Sequence, residues 1–253
     1  MLKVVPTALL LTVLAYSAQG QVQVKFEPLH APTLRYGLRA GGQVMGVSRQ
    51  QYSHTYWYNG ATTEVPQVGL WGGNIGIAAE ADFGWLALQP AVLFMQKGYC
   101  FQVSRTETIR GMSFRNSRLD KQRVNYLEVP VNAVITIKGI QLLAGPYVSV
   151  GVGGRYWDET SYPMGSEYSR DYQQYHYAGS GKVRFGDNPQ GNASEAYVER
   201  RLDAGYNLGL GYRHNSWQVQ PTYSRSIRST SRLSSEKTWS AQLNLTYFFS
   251  PAS

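Results

Sequence analysis

Apolar and polar residues alternate along much of this chain, most clearly between positions 125 and 154. An alternation with a period of two places the apolar residues on one face of a β-strand. Lys138 and Gly139 interrupt the pattern and are typical of the tight turn of a hairpin. The alternating apolar residues are Leu127, Val129, Val131, Ala133 and Ile135 before the turn and Leu142, Ala144, Val148, Val150 and Val152 after it.

Both halves of this hairpin have the length and polarity of membrane-spanning strands. Each is longer than the ~5–6 residues of an ordinary soluble strand and matches the ~9–11 residues with which a tilted strand crosses a bilayer. One face is continuously apolar, whereas the other carries Glu128, Asn132 and Ser149. An apolar exterior around a polar interior is typical of a membrane barrel.

Eight segments with this alternation follow one another along the chain. They are 34–45, 68–82, 85–98, 125–137, 140–154, 202–212, 217–225 and 239–249. The links between them are alternately long and short, which is the rule for the outer loops and periplasmic turns of outer-membrane barrels. The pattern predicts an all-β fold: an eight-stranded antiparallel up-and-down transmembrane β-barrel with long outer loops and short periplasmic turns.

Four of these segments contain a proline. A proline cannot donate a hydrogen bond to a neighbouring strand, and inside sheets it is confined to edges and bulges. We therefore expect bulges near Pro90, Pro130, Pro146 and Pro221, which leave the exact register there open.

The first residues form a separate segment. Lys3 precedes an apolar run that ends in small residues at Ala18 and Gly20. This order is typical of a secretory signal peptide, and the run is too short for a membrane helix of ~20 apolar residues. We therefore divide the chain into a signal peptide at 1–20, a lead segment at 21–33, the barrel at 34–249 and a tail at 250–253.

Composition adds little further chemistry. The net charge is +8, but no basic-aromatic motif of a nucleic-acid module accompanies it, so we expect no nucleic acid as a partner of this exported chain. Cys100 is the only cysteine, which excludes an internal disulfide and a multi-thiolate zinc site. We expect neither a metal nor a cofactor. The 19 Tyr, 6 Trp and 8 Phe suit the aromatic girdles of a membrane barrel.

Several inward positions carry charged residues. An eight-stranded barrel has an interior only wide enough for side chains, and an unpaired charge buried there is costly. We therefore expect a closed lumen, in which Glu128 reaches Arg35 or Arg39 and its loss costs ~3–5 kcal/mol. The predicted ionic core consists of Arg35, Arg39, Glu80, Glu128 and Asp203, with Lys97 and Arg213 also at inward positions.

The predicted outer loops indicate how the barrel meets its surroundings. Their arginines either belong to a solvated surface of mixed charge or bind lipopolysaccharide phosphates through guanidinium groups. The Tyr-rich loop at 157–199 either shields the barrel mouth or binds a protein partner at the outer face. The arginines are Arg105, Arg110, Arg115, Arg118, Arg228 and Arg232.

The last predicted strand ends in Phe249, with Tyr247 two positions before it. An aromatic-ended amphipathic strand resembles the signal that the barrel-assembly machinery recognises. We therefore expect this machinery as a partner and expect a charged residue at position 249 to leave the chain unassembled.

The candidates for catalysis are weak. His214-Asn215-Ser216 offers a base and a hydroxyl, but the topology places it in a periplasmic turn, away from the outer leaflet on which lipid-modifying enzymes act. The other histidines, His30, His54 and His176, have no distinctive Ser or Asp pattern beside them. The glycine runs at 151–154 and 209–211 lie within strands, so we interpret them as room for lumen side chains and not as phosphate loops. We expect no enzymatic activity.

Four segments occur in a specific order: 86–98 (LALQPAVLFMQKG), 125–130 (NYLEVP), 142–147 (LLAGPY) and 202–212 (LDAGYNLGLGY). Together with the aromatic closing strand, they resemble the PorT-like outer-membrane β-barrel family of Gram-negative bacteria. The resemblance implies a barrel of eight strands in the cell outer membrane, and the founding member's link to secretion implies a role in protein export. Where that family often has a Glu and a Tyr, this chain has Ala91 and Phe94.

These observations predict an outer-membrane barrel with a closed lumen that serves surface structure, binding or assistance to export. Outer-membrane lipids including lipopolysaccharide surround it. The alternatives are a small-solute pore, which conductance would reveal, and an outer-membrane lipid-modifying enzyme, which a Ser–His pair at the outer rim would reveal.

Overall fold

The computed structural model describes residues 31–48, 67–109, 112–165, 172–186, 198–229 and 237–249. The predicted signal peptide, residues 21–30 of the lead segment and the predicted tail lie outside this range. So do Arg110, Arg232, His30 and His54. Within the described residues there is no helix long and apolar enough to cross a membrane.

The described residues form strands joined by turns and short links. The strands are β1 (Thr33–Val47), β2 (Gln67–Val68), β3 (Leu70–Asp82), β4 (Leu86–Ile109), β5 (Met112–Ile137), β6 (Ile140–Met164), β7 (Gln173–Lys182), β8 (Arg184–Phe185), β9 (Val198–Glu199), β10 (Leu202–His214), β11 (Trp217–Ser226) and β12 (Thr238–Phe249).

Eight of these strands close into a ring in which all neighbours are antiparallel. The order around the ring is β1, β3, β4, β5, β6, β10, β11 and β12. β12 returns to β1 through pairs that run from Tyr36–Phe249 to Val47–Thr238. β6 joins β10 through pairs that run from Ile140–Tyr212 to Val150–Leu202. The predicted all-β fold and eight-stranded antiparallel barrel are confirmed.

Three ring strands continue past the barrel rim. The alternation predicts that β4 ends at position 98, that β5 begins at 125 and that β6 ends at 154. In the structure β4 ends at Ile109, β5 begins at Met112 and β6 ends at Met164. Beyond its contact with β10, β6 pairs with β7. We call residues 99–109, 112–122, 155–164 and β7 together the outer sheet. The alternation does not extend into it because polar residues occupy both of its faces.

The short links form tight turns at one end of the barrel, here called the turn end; the long links leave from the opposite, loop end. Lys138 and Gly139 have positive φ values of 50° and 85°, as a two-residue hairpin turn requires. Asn215 has a φ of 52°, which asparagine tolerates. Between β3 and β4, the Gly84 N–H donates to Asp82 Oδ1 at 2.9 Å.

The prolines do not produce bulges, so that prediction is wrong. Next to Pro90, Pro130, Pro146 and Pro221, strand pairing skips two residues and resumes in the same register. A missing N–H removes one hydrogen bond but leaves the spacing of the neighbouring residues unchanged. The register shift found among the described strand pairs lies instead between Asn125 and Tyr126 of β5, opposite β6.

The barrel is apolar outside and polar inside. Leu243 is 58% exposed, whereas the adjacent Asn244 is 4% exposed, and the same alternation recurs around the ring. Exposed aliphatic residues include Leu38, Ile75, Val92, Leu127, Val148, Leu208, Val219 and Leu245. Because most of the buried side chains are polar or charged, the chemistry of the barrel lies in its interior and at its two ends.

Candidate functional site

Two groups of polar and charged side chains meet inside the barrel, one near each end. The turn-side cluster consists of Glu80, Arg213, Arg35, Gln89 and Arg39. The loop-side cluster consists of Lys97, Glu128, Asp203, Ser149 and Ser226. All five residues of the predicted ionic core lie in these two clusters.

An ion pair crosses the full width of the barrel in the turn-side cluster. Glu80 of β3 is fully buried, and its Oε1 and Oε2 lie 2.7 and 2.8 Å from Nη2 of Arg213 on β10. Three strands separate β3 from β10 on either side of the ring, so the two residues face each other across the interior. Nη1 of Arg35 lies 3.7 Å from Oε1 of Glu80. One carboxylate therefore connects β1, β3 and β10.

Gln89 connects this carboxylate to further strands. Its Nε2 donates to Oε2 of Glu80 at 2.6 Å, and its Oε1 accepts from Nε2 of Gln220 at 3.2 Å. Arg39 donates from Nη2 to the same Gln89 oxygen at 3.4 Å and from Nε to Thr246 Oγ1 at 2.8 Å. Gln89 on β4 and Gln220 on β11 also face each other across the ring. The turn-side cluster therefore bridges the interior along two diameters.

Lys97 is the centre of the loop-side cluster. Its Nζ lies 2.8 Å from Glu128 Oε2 and 2.7 Å from Asp203 Oδ2, and all three side chains are buried. The amine also lies 4.1 Å from the centre of the Tyr147 ring, within the range of a cation–π contact. A single ammonium group thus pairs with two carboxylates, one on β5 and one on β10.

Asp203 is held through both of its oxygens. Oδ1 accepts from Ser226 Oγ at 2.5 Å, while Oδ2 accepts from Lys97 and from Tyr147 Oη at 3.3 Å. The Tyr147 ring fits here because its neighbour on β10 is Gly205, where an added Cβ would collide with the ring. This glycine therefore makes room for an interior side chain.

Glu128 does not pair with Arg35 or Arg39, so that predicted pairing is wrong. Its partner Lys97 lies on the adjacent strand β4, which needs no reach across the interior. The two arginines are engaged at the turn side, where Nη2 of Arg35 also lies 3.6 Å from Asp82 Oδ2. The sequence predicted that Lys97 and Arg213 face inward but did not predict their partners. Alternation shows which face a residue lies on, but not which residues it meets across the ring.

Amide and hydroxyl side chains fill the interior between the two clusters. Asn74 Nδ2 donates to Asn244 Oδ1 at 2.9 Å, and Ser224 Oγ donates to Asn207 Oδ1 at 2.6 Å. Ala91, where the PorT-like family often has a Glu, lies in a buried apolar group with Ala78, Leu93 and Phe248. Position 91 is therefore an inward position without ionisable chemistry in this chain.

A segment that follows β7 packs into the barrel at its loop end. We call residues 183–185 the mouth segment. Val183 is buried, and its N–H donates to the Gly154 carbonyl at 3.0 Å. Val183 and Phe185 pack against three buried residues, Met95, Val124 and Tyr126. A Cβ added at Gly151 would collide with the Phe185 ring, so this glycine makes room for the mouth segment.

The arginines predicted to bind lipopolysaccharide do not form one patch among the described residues. Arg105 lies in β4 and Arg228 follows β11, while Arg110 and Arg232 lie outside the described range. Arg115 and Arg118 stand three positions apart on β5, so they face opposite sides of the outer sheet. Binding of lipopolysaccharide by these residues stays a prediction.

Tyr247 and Phe249 belong to an exposed aromatic group at the turn end. The Tyr247 ring centre lies 4.8 Å from that of Trp217 and 5.6 Å from that of Phe249. Phe249 pairs in register with Tyr36 on β1, where the ring closes. Recognition of this strand by the assembly machinery stays a prediction.

The residues considered for catalysis occupy structural positions. His214 ends β10 and precedes the turn at Asn215, at the end of the barrel opposite the outer sheet. His176 is exposed on β7. Across the described ranges, no group of three or more His, Cys, Asp and Glu residues is placed to hold a metal ion.

Comparison with known proteins gives only low similarity. No family model matches the sequence, and no curated protein matches it. The barrel is similar to Ail, the attachment invasion locus protein of Yersinia pestis, crystallised with the heparin analogue sucrose octasulfate; the identity is 14% and the TM-score 0.34, over 85% of this chain and 99% of that one. Neisserial surface protein A gives 9% identity and a TM-score of 0.37, over 85% and 97% of the two chains. Membership of the PorT-like family therefore stays a prediction.

Replacing Lys97 by Met should destabilise the barrel more than replacing Glu128 by Gln. Loss of the amine leaves two buried carboxylates uncompensated, which costs about 3–5 kcal/mol. Glu128→Gln keeps the pair between Lys97 and Asp203 and should cost about 1–3 kcal/mol. Urea unfolding in lipid vesicles measures both free energies. A larger loss for Glu128→Gln would contradict the central place of Lys97.

Gly151→Val should displace the mouth segment and leave the barrel folded. Gly153 supplies the matched control, since a Cβ added there meets nothing within 4 Å. We expect trypsin to cleave after Lys182 and Arg184 faster in Gly151→Val and at the parental rate in Gly153→Val. Equal cleavage rates in the two variants would mean that Gly151 does not hold the mouth segment in place.

Proposed function

We propose that this protein is an outer-membrane barrel with a closed, side-chain-filled lumen that acts by binding at the cell surface. The observation that carries the proposal is the buried Glu80–Arg213 ion pair, which crosses the interior of a barrel with an apolar exterior. Such an exterior suits lipid, and such a bridge supports a closed lumen, because the interior of an eight-stranded barrel is only wide enough for side chains.

The outward-facing residues support a location in the membrane. The outward positions of the described ring strands carry no Asp, Glu, Lys or Arg between the turn end and the aromatic residues near the loop end. We call this region the apolar zone. On β12 this zone runs from Trp239 to Tyr247, about 27 Å of strand at ~3.4 Å per residue. With a tilt of ~40° its height is about 20 Å, near the ~25 Å apolar band of outer-membrane barrels.

The loop end is the side that we assign to binding. The turn end offers only three short turns, which can hardly supply the ~1,200–2,000 Å² of a specific interface. The outer sheet and its connections are much larger and carry exposed tyrosines such as Tyr162, Tyr175 and Tyr177. We assign contact with a protein partner to this sheet, and contact with lipopolysaccharide phosphates to exposed arginines such as Arg115 and Arg228.

The purified barrel should not conduct ions across a planar lipid bilayer. The side chains of both clusters and the mouth segment occupy the interior, so insertion should leave the current at the baseline. An open porin in the same bilayer serves as the positive control. A steady ohmic conductance from the parent protein would overturn the closed lumen and favour the small-solute pore.

Leu243→Arg should destabilise the inserted barrel far more than Leu34→Arg. Both side chains point outward and are similarly exposed, at 58% and 55%. Leu243 lies in the middle of the apolar zone, where an arginine costs about 2–4 kcal/mol, whereas Leu34 lies beyond the turn-end aromatics, where it costs about 0–1 kcal/mol. Unfolding in lipid vesicles gives both values. Equal losses would contradict a bilayer at this position.

A further inference from the structure

We propose that β7 is a docking edge to which an extended segment of a partner protein adds as a further strand of the outer sheet. This inference rests on the proposed function, because it specifies how the outer sheet binds. In strand addition, backbone hydrogen bonds supply affinity and alternate side chains supply selectivity.

β7 has one paired edge and one edge that no described residue covers. It pairs with β6 from Arg155–Lys182 to Met164–Gln173, and no other described strand pairs with it. Its ten residues are exposed or half-buried. The N–H and C=O groups along the second edge therefore form a template for another strand.

Within the described residues, β7 lacks three sequence features with which proteins usually prevent strand addition. Such features are charged side chains, prolines and bulges. β7 contains no proline, its pairing with β6 has no register shift, and its first charged residue is Lys182 at its end. A nearly uncharged edge without a register shift, in a sheet that continues past the barrel rim, is suited to pairing with an incoming strand.

The two faces of β7 define the chemistry of the segment that fits. Tyr175 and Tyr177 lie on one face and are 43% and 51% exposed, and the Tyr175 ring centre lies 5.1 Å from that of Tyr162 on β6. The other face carries His176, Ala178 and Ser180. A matching segment has apolar or aromatic residues at alternate positions to cover the tyrosines and small residues between them.

Symmetry argues against a second copy in the same membrane as the antiparallel partner. Barrels inserted in the same direction are related by rotation about the membrane normal, which preserves the direction of every strand along that normal. Antiparallel pairing of β7 with its own copy requires this direction to reverse. Because β7 pairs antiparallel with β6, we assign antiparallel pairing to its second edge as well, and the occupant of that edge is then a segment of a different protein.

The test uses a fluorescent synthetic peptide of ten residues, with tyrosine or valine at one set of alternate positions and serine or alanine at the other, which is the chemistry that fits the two faces of β7. Two further peptides carry N-methyl groups on alternate amides, one on the odd and one on the even residues. A strand exposes alternate amides to its two sides, so only one of these peptides should lose binding. Fluorescence anisotropy measures affinity for the barrel in lipid nanodiscs, and hydrogen exchange reports protection of the β7 amides.

Ala178→Lys places a charge on the docking edge, and Ser113→Lys on the exposed part of β5 is the matched control. We expect about tenfold weaker binding for Ala178→Lys and for one methylated peptide, and parental binding for Ser113→Lys. Three results would overturn the docking edge. Both methylated peptides could bind equally well, or the peptide could fail to bind the parent. The β7 amides could also be protected from exchange in the free barrel, either by residues 187–197 or by a facing copy. If the same purified protein inserts into a planar bilayer without conducting, the closed lumen would still stand.

Discussion

Closure of the ring between β12 and β1 is the constraint on which the rest of this structure depends. Backbone groups inside a bilayer have no water to bond, so only a sheet without edges satisfies all of them. β12 and β1 pair without interruption from Tyr36–Phe249 to Val47–Thr238. In a closed ring each residue faces either outward or inward, and a slip by one residue would turn Leu243 inward and Asn244 outward. Register therefore fixes the position of every charge.

Closure also brings together residues that are far apart in the chain. Glu80 and Arg213 meet because their strands lie opposite each other, and Lys97 reaches Asp203 past β5 and β6. The side chains that fill the barrel thus connect its two halves. Beyond the rim the partner of β6 changes from β10 to β7, and no described strand pairs with the second edge of β7. The closed ring and the outer sheet therefore form through the same antiparallel pairing of neighbouring strands.

Sequence alone could predict the ring because its two faces require opposite chemistry. The side chains of Leu243 and Asn244, for example, indicate their faces directly. The predicted limits of β1, β3, β10, β11 and β12 lie within two residues of the observed ones, whereas β4, β5 and β6 extend further at the loop end. The partner of Glu128 could not be predicted, since contacts across the interior depend on strand tilt and register. β7 escaped prediction because its sequence, QQYHYAGSGK, has no apolar face. The room provided by Gly151 was visible in the sequence, but its occupant, Phe185, was not.

The central claim, that Glu80 and Arg213 are buried as a pair across the interior of this barrel, is tested most directly by a double-mutant cycle. The free energy of unfolding in lipid vesicles is measured for the parent, Glu80→Met, Arg213→Met and the double variant. Each single replacement leaves a buried charge and should cost about 3–5 kcal/mol, while the double variant should recover most of that loss. We predict a coupling energy above about 1.5 kcal/mol, whereas losses that add within about 0.5 kcal/mol would contradict the claim.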